Sequence, residues 1–514
     1  MHWPNSRIFY DILAQSASPG FAIHAQSLLE AAEEQLARTT AQSNLLSPLP
    51  GHQQLVARIA ALKYAVAPVR KLPADILLEI FRIVADDLLI PFYYINWYSN
   101  RHFRPAFRLA SVCSYWRQLM STAPRLWPTS MTLQFSRFGC SPQYLDVAKT
   151  LLQRSNPYSL DITVDGRGLN VEPSLALHVI FVAMNVASRW QRISMDCDIV
   201  PFLRAARTPG PLIHLTEINL HNLNWDETDE PSAFFLDAPK LTRVSLRTSH
   251  ATKLLLPWSQ LTKLQLEGVE SPGFLAVLEQ CISVVNLRLV GYICDEDVIA
   301  PSALSTIVSL VHLSNLKLSV TEDHCTFDPL FRHFTFPSLI NLTLNAPGAD
   351  DTPEIGESFP SFLARCSALS DLSISCFDMN ETALSDILLN IPSLTSLTLA
   401  ACFYCVDNAF FERLTYRPTD LVPPAPCLQR LHLDGVNDRY SQDVVLAMVC
   451  SRWWTDDALR LPAPRVARWQ NIYICGRDPP EVVLSDAFKA AMAELRAEGL
   501  VFEVEEYEET HGDN

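Results

Sequence analysis

Leu313-Ser314-Asn315-Leu316-Lys317-Leu318 decides the fold, because its frame returns through most of the chain. Leu215-x-x-Ile218-x-Leu220, Leu241-x-x-Val244-x-Leu246, Leu261-x-x-Leu264-x-Leu266 and Val284-x-x-Leu287-x-Leu289 precede it. Leu339-x-x-Leu342-x-Leu344, Leu369-x-x-Leu372-x-Ile374, Leu394-x-x-Leu397-x-Leu399 and Leu428-x-x-Leu431-x-Leu433 follow. Trp190-x-x-Ile193-x-Met195 reads as a degenerate first copy and Trp469-x-x-Ile472-x-Ile474 as a last one. Apolar residues two apart belong on one side of a strand, so the fourth and sixth positions point inward and the third and fifth outward. A single strand with its return segment cannot bury that ridge. Units at a period of about 20 to about 41 residues must therefore stack on one shared core.

This pattern resembles leucine-rich repeats, with helical stretches such as Pro272 to Cys281, Phe359 to Cys366 and Thr382 to Asn390 between strands. The resemblance implies an α/β solenoid, a horseshoe whose hollow is lined by the third and fifth strand positions. Asparagine or cysteine rarely follows at the ninth position: Cys402 fits, whereas Leu223, Ser249 and Val269 do not.

Upstream stands Leu72-Pro73-x-Asp75-Ile76-Leu77-x-x-Ile80-Phe81. Proline at a first helical position gives up an N–H that had no partner, and Asp75 suits the exposed amides of the first turn. Ile76, Leu77, Ile80, Phe81 and Val84 recur at helical spacing. A second amphipathic segment carries Leu109, Val112, Cys113, Trp116, Leu119 and Met120, closed by Pro124 with Leu126 and Trp127 beyond. Over about 60 residues this helix, helix and capping turn resembles an F-box, in the version common in mushroom-forming fungi. The resemblance implies that Leu72, Pro73, Ile76, Leu77, Ile80, Val112 and Trp116 contact the small adaptor that bridges to a cullin scaffold.

The remaining segments fall around these two modules. Residues 1–20 are a loosely ordered lead-in. Residues 21–66 hold two helices, about Phe21 to Ser43 and Gln53 to Val66, broken by Pro48, Pro50 and Gly51. They form a packed hairpin or a coiled-coil segment, and the lack of sustained heptads favours the hairpin. The F-box region spans 67–131 with an aromatic insertion at about 86–105, longer than a typical link. Short strands at Trp127 to Leu133 and Leu160 to Val164, with a helix from about Tyr144 to Arg154, lead into the repeats of 132–480. A helix from Leu484 to Arg496, a strand from Val501 to Val504 and an acidic tail complete 481–514.

Bulk properties narrow the function. The 514 residues exceed one compact core. A net charge of −16 argues against nucleic acid and against an anionic membrane surface. No leader is read at Met1 to Arg7, and no apolar run reaches the length of a membrane span. Thirteen cysteines in apolar contexts, an odd number, point to reduced thiols in the cytoplasm or nucleus.

No catalytic constellation emerges. Cys402-x-x-Cys405 stands without a second zinc half, and no metal or other cofactor is expected. The acidic runs Asp295 to Asp297 and Asp350-Asp351 read as surface turns, and Asn341-x-Thr343 and Asn380-x-Thr382 matter only with secretion. On the hollow, Arg243, Arg247, Lys263, Arg288 and Lys317 lie on neighbouring strands of an acidic protein. They suggest a basic strip for an acidic or phosphorylated protein segment, or ordinary solvated polarity, with Glu217 and Glu267 diluting it. Together the two resemblances imply a non-catalytic substrate-recognition subunit of an SCF-type ubiquitin ligase. The competing expectation is a repeat scaffold whose F-box joins no cullin.

Overall fold

The computed structural model describes residues 21–42, 52–86, 104–134, 142–166, 173–205, 210–268, 271–291, 307–320, 327–347, 353, 355–377, 379, 381–402, 405–419, 422–436, 440–454, 465–476 and 484–504. The lead-in, most of the F-box insertion, both acidic turns, Asn380 and the acidic tail lie outside the described residues. The chain divides into two units, Met1–Pro128 and Thr129–Asn514.

The first unit is helical. Helices α1 (Phe21–Gln42) and α2 (His52–Val66) pair. They bury Ala25, Leu29, Ala32, Ile59 and Leu62 between them, and Lys63 bridges Glu33 at 2.7 Å. The hairpin is therefore the arrangement formed within the chain. A 3-10 turn (Pro68–Lys71) then leads into α3 (Ala74–Asp86). The Leu77 N–H donates to the Pro73 carbonyl at 3.0 Å, so Pro73 stands at the N-cap, one residue before the first helical position expected of it.

The second amphipathic segment is not one helix but two, α4 (Arg104–Val112) and α5 (Ser114–Thr122). Cys113 between them is extended, and its Sγ accepts from the Trp116 N–H at 3.4 Å. The side chain caps α5 as a serine would, which apolar spacing alone could not reveal. Arg117 Nε donates to the Ala110 carbonyl at 3.1 Å and so ties α5 back to the open end of α4. A 3-10 turn (Pro124–Leu126) follows. Leu77, Phe81, Met120, Leu126 and Trp127 are buried in this unit, each worth about 1.5–3 kcal/mol by area. Trp127 Nε1 donates to the Met120 carbonyl at 2.8 Å, and Phe107 meets the Trp127 ring edge-on at 5.5 Å.

Among the described residues, the second unit carries a parallel sheet of fourteen strands whose spatial order follows chain order, as stacked repeats require. The strands are β1 (Ser130–Gln134), β2 (Leu160–Asp165), β3 (Trp190–Asp196), β4 (Glu217–His221), β5 (Arg243–Arg247), β6 (Lys263–Glu267) and β7 (Asn286–Val290). Then come β8 (Asn315–Ser319), β9 (Asn341–Asn345), β10 (Asp371–Ser375), β11 (Ser396–Ala400), β12 (Arg430–Val436), β13 (Asn471–Gly476) and β14 (Val501–Val504). Thr129 to Gln134 thus belong to this unit, since β1 pairs along its length with β2. Both degenerate copies form strands, and the C-terminal strand extends the sheet.

Register is set by the apolar pair in each repeat. Leu264, Leu287, Leu316 and Leu342 stand side by side, as do Leu266, Leu289, Leu318 and Leu344. All are buried, while the third, fifth and seventh positions line the opposite, open face. Return segments vary with repeat length. The roughly 20-residue step from β5 to β6 holds only the 3-10 turns Ala251–Lys253 and Trp258–Gln260, because a full helix would not fit. Longer steps hold helices, among them Phe359–Ala364 and Glu381–Asn390. Phe331, Phe336, Phe359 and Phe362 fill the interior there, with Phe331 and Phe362 centroids 4.8 Å apart. Leu223 is buried at its ninth position just as Cys402 is, whereas Ser249 is half-buried at its own.

Candidate functional site

Two surfaces merit attention, one in each unit. On α3, Leu77 and Phe81 turn inward with no exposed surface, and the Phe81 ring lies 4.6 Å from that of Trp116. The same helix leaves Ile76, Ile80, Ile83 and Val84 exposed, at positions separated by three to four residues. Water-exposed isoleucines in a stripe are costly to solubility, and such stripes mark contact surfaces. Val112 at the end of α4 and Tyr115 on α5 are exposed as well.

The sequence-derived contact residues therefore separate. Ile76, Ile80 and Val112 are exposed, Pro73 is exposed at the helix start, and Leu72 and Trp116 are half-buried. Leu77 requires a correction: it is a core residue with no exposed surface, on a helix that packs against α4, α5 and the Pro124–Leu126 turn. Two further exposed apolar residues, Ile83 and Tyr115, lie outside the expected set. Ile83 was legible, since it continues the Ile76–Ile80 stripe by three residues; Tyr115 was not, because its exposure depends on the break at Cys113.

On the open sheet face, parallel register aligns side chains far apart in sequence. Arg243 Nη1 lies 3.4 Å from Glu217 Oε2, and Arg247 Nε lies 3.3 Å from Glu267 Oε1. Arg192 meets Asp161 at 2.5 Å, and hydrogen bonding to that carboxylate raises the guanidinium pKa above its ordinary value. Arg430 reaches across β11 to Asp371 at 3.0 Å. Within the expected five-residue basic strip, Arg243 and Arg247 thus pair at the surface with Glu217 and Glu267, the glutamates that dilute the strip. Lys263, Arg288 and Lys317 remain exposed, with no hydrogen-bond or ion-pair partner among the described residues.

Neutral polar groups surround these three. Asn286, Asn315 and Asn341 stand in register on β7, β8 and β9. Asn341 Nδ2 donates to Asn315 Oδ1 at 2.7 Å, and Asn315 Nδ2 donates to Ser314 Oγ at 2.9 Å. Gln265 and Thr343 flank Arg288 and Lys317 in the same row. Among the described residues this surface thus sets three cations beside neutral amides.

Cys402 and Cys405 are both buried, and the Cys405 thiol donates to the Cys402 carbonyl at 3.6 Å. Among the described residues no group of three or more His, Cys, Asp or Glu side chains is placed to hold a metal ion. Among the same residues no helix is long and apolar enough to cross a membrane.

No family model matches the chain, and no curated protein matches it. Among solved structures, the yeast complex of Rad7 and Elc1 aligns over 89% of this chain and 98% of that chain. The identity is 16% and the TM-score 0.35.

Proposed function

We propose that the chain is the substrate-recognition subunit of a cullin–RING ubiquitin ligase. Its first unit serves as an F-box that grips a small adaptor, and its leucine-rich sheet selects the target protein. The observation that carries this reading is the exposed stripe of Ile76, Ile80 and Ile83 on α3, set on the helix that opens with the F-box-like Leu72-Pro73 motif. An apolar stripe of this kind suits a partner helix or groove. The chain then supplies proximity and orientation, and the chemistry of ubiquitin transfer resides in other subunits. Such a subunit works in the cytoplasm or nucleus, in keeping with cysteines scattered through apolar contexts.

The test is capture of the tagged full-length chain from cell extract. Co-purification of an adaptor and a cullin, lost on Ile76→Glu with Ile80→Glu, supports the ligase. A stable complex containing neither replaces it with a repeat scaffold.

A further inference from the structure

Charge on the open sheet face is distributed unevenly. From β4 to β9 its third, fifth and seventh positions carry two acids, Glu217 and Glu267, and both are taken up by arginines. Three cations are left over in a chain whose net charge is −16. Arg288 and Lys317 are register partners on adjacent strands, so their Cα atoms stand only about 5 Å apart. Like charges directly opposite on one sheet face repel. Lys263 extends the group one strand further, two residues toward the strand start. Around them the face offers the carboxamides of Asn286, Asn315 and Asn341 and no acid on β7, β8 or β9. An occupant carrying negative charge would relieve the repulsion and accept from the amides.

From this arrangement we infer that the β6–β9 surface binds an extended, carboxylate-rich segment of a partner protein, with Arg288, Lys317 and Lys263 as its charge-bearing contacts. The inference rests on the recognition role proposed above and names the chemistry of its target. Three points select this occupant. The cations are strung over three strands rather than gathered round one point, which suits several single charges along a chain better than one compact dianion. Same-side residues of an extended chain recur about every 6.6 Å, close to the roughly 5 Å strand spacing, so alternate acids can meet successive strands. A patch of three cations is also far smaller than the phosphate footprint that holds nucleic acid.

The test uses the purified full-length chain without adaptor. Fluorescent twelve-residue peptide libraries carry Asp or Glu at four alternate positions, or Asn and Gln there, or phosphoserine at one of them. The acidic library is expected to bind at least about tenfold more tightly than the amide library and to weaken with salt. Arg288→Glu with Lys317→Glu is expected to weaken that binding about 30-fold or more while leaving the unliganded thermal midpoint unchanged. Equal binding of acidic and amide libraries, binding confined to phosphoserine peptides, or indifference to the double reversal overturns the inference. So does a lowered unliganded midpoint in the variant, which would assign the cations to an acid of the chain itself. Adaptor capture is measured separately through Ile76 and Ile80, so failure here is distinguishable from failure of the ligase reading.

Discussion

Ile76 and Leu77 are consecutive on α3, yet Ile76 keeps 46% of its surface exposed and Leu77 keeps none. One residue of helix rotates the side chain by about 100°, enough to carry it from a contact stripe into a core.

Substitution should separate the two roles. Ile76→Glu is expected to leave the thermal midpoint within about 3 °C, because an exposed change away from special features costs within about ±0.5 kcal/mol. Leu77→Ala is expected to destabilise the first unit by about 2–5 kcal/mol through the cavity it leaves. Circular dichroism melts check both, with adaptor capture lost in the first variant while its fold persists.

Arg452 has no exposed surface, and burial pushes its guanidinium down to about 10. Its Nη2 donates to the Pro424 carbonyl at 2.7 Å and its Nη1 to the Ala425 carbonyl at 2.9 Å, with Trp469 at 5.4 Å. The side chain pins the segment before Leu428. Arg452→Met is expected to cost about 2–4 kcal/mol by leaving two carbonyls unpaired. Arg452→Lys is expected to recover only part of that, since an ammonium cannot reproduce the fork. Hydrogen exchange over residues 422–428 should accelerate in both.

Gly291 adopts φ +113°, and a Cβ there would lie 2.9 Å from the Gly268 amide nitrogen. Backbone cannot yield as a side-chain tip can, so Gly291→Ala is expected to destabilise by about 1–3 kcal/mol. Gly210, at φ +80° with nothing within 4 Å of its Cβ, should lose only about 1 kcal/mol on the same change. Paired urea titrations measure the difference.

Burial pushes the Cys281 and Cys366 thiols up to about 12. In the folded chain they hold their protons through pH 9, where an unfolded chain begins to lose them. Their contribution to stability is complete below about pH 9 and is lost progressively as pH rises from there toward 12. At pH 8 iodoacetamide is expected to modify exposed Cys427 and to spare Cys281 and Cys366 until denaturant is added. Mass spectrometry of the digested protein reads each site.

The repeat strands were legible from residue type because a shared core imposes a local rule. Leu264, Leu287 and Leu316 each need burial on the same side of a strand, and each repeat states that need within six residues. The helical unit was legible in outline for a similar reason. Its break at Cys113 was not, since a thiol capping an amide leaves no trace in apolar spacing.

What the sequence by itself determined was the period, the inward face of each strand and the existence of a helical module ahead of them, all consequences of apolar residues at fixed local spacing. What only the tertiary structure decided was the fate of the charges and of neighbouring apolar groups. Arg243 finds Glu217 twenty-six positions away through strand register, whereas Arg288 and Lys317 are brought together with no acid between them. Electrostatic pairing depends on distances in space, and those distances exist only after the strands have stacked.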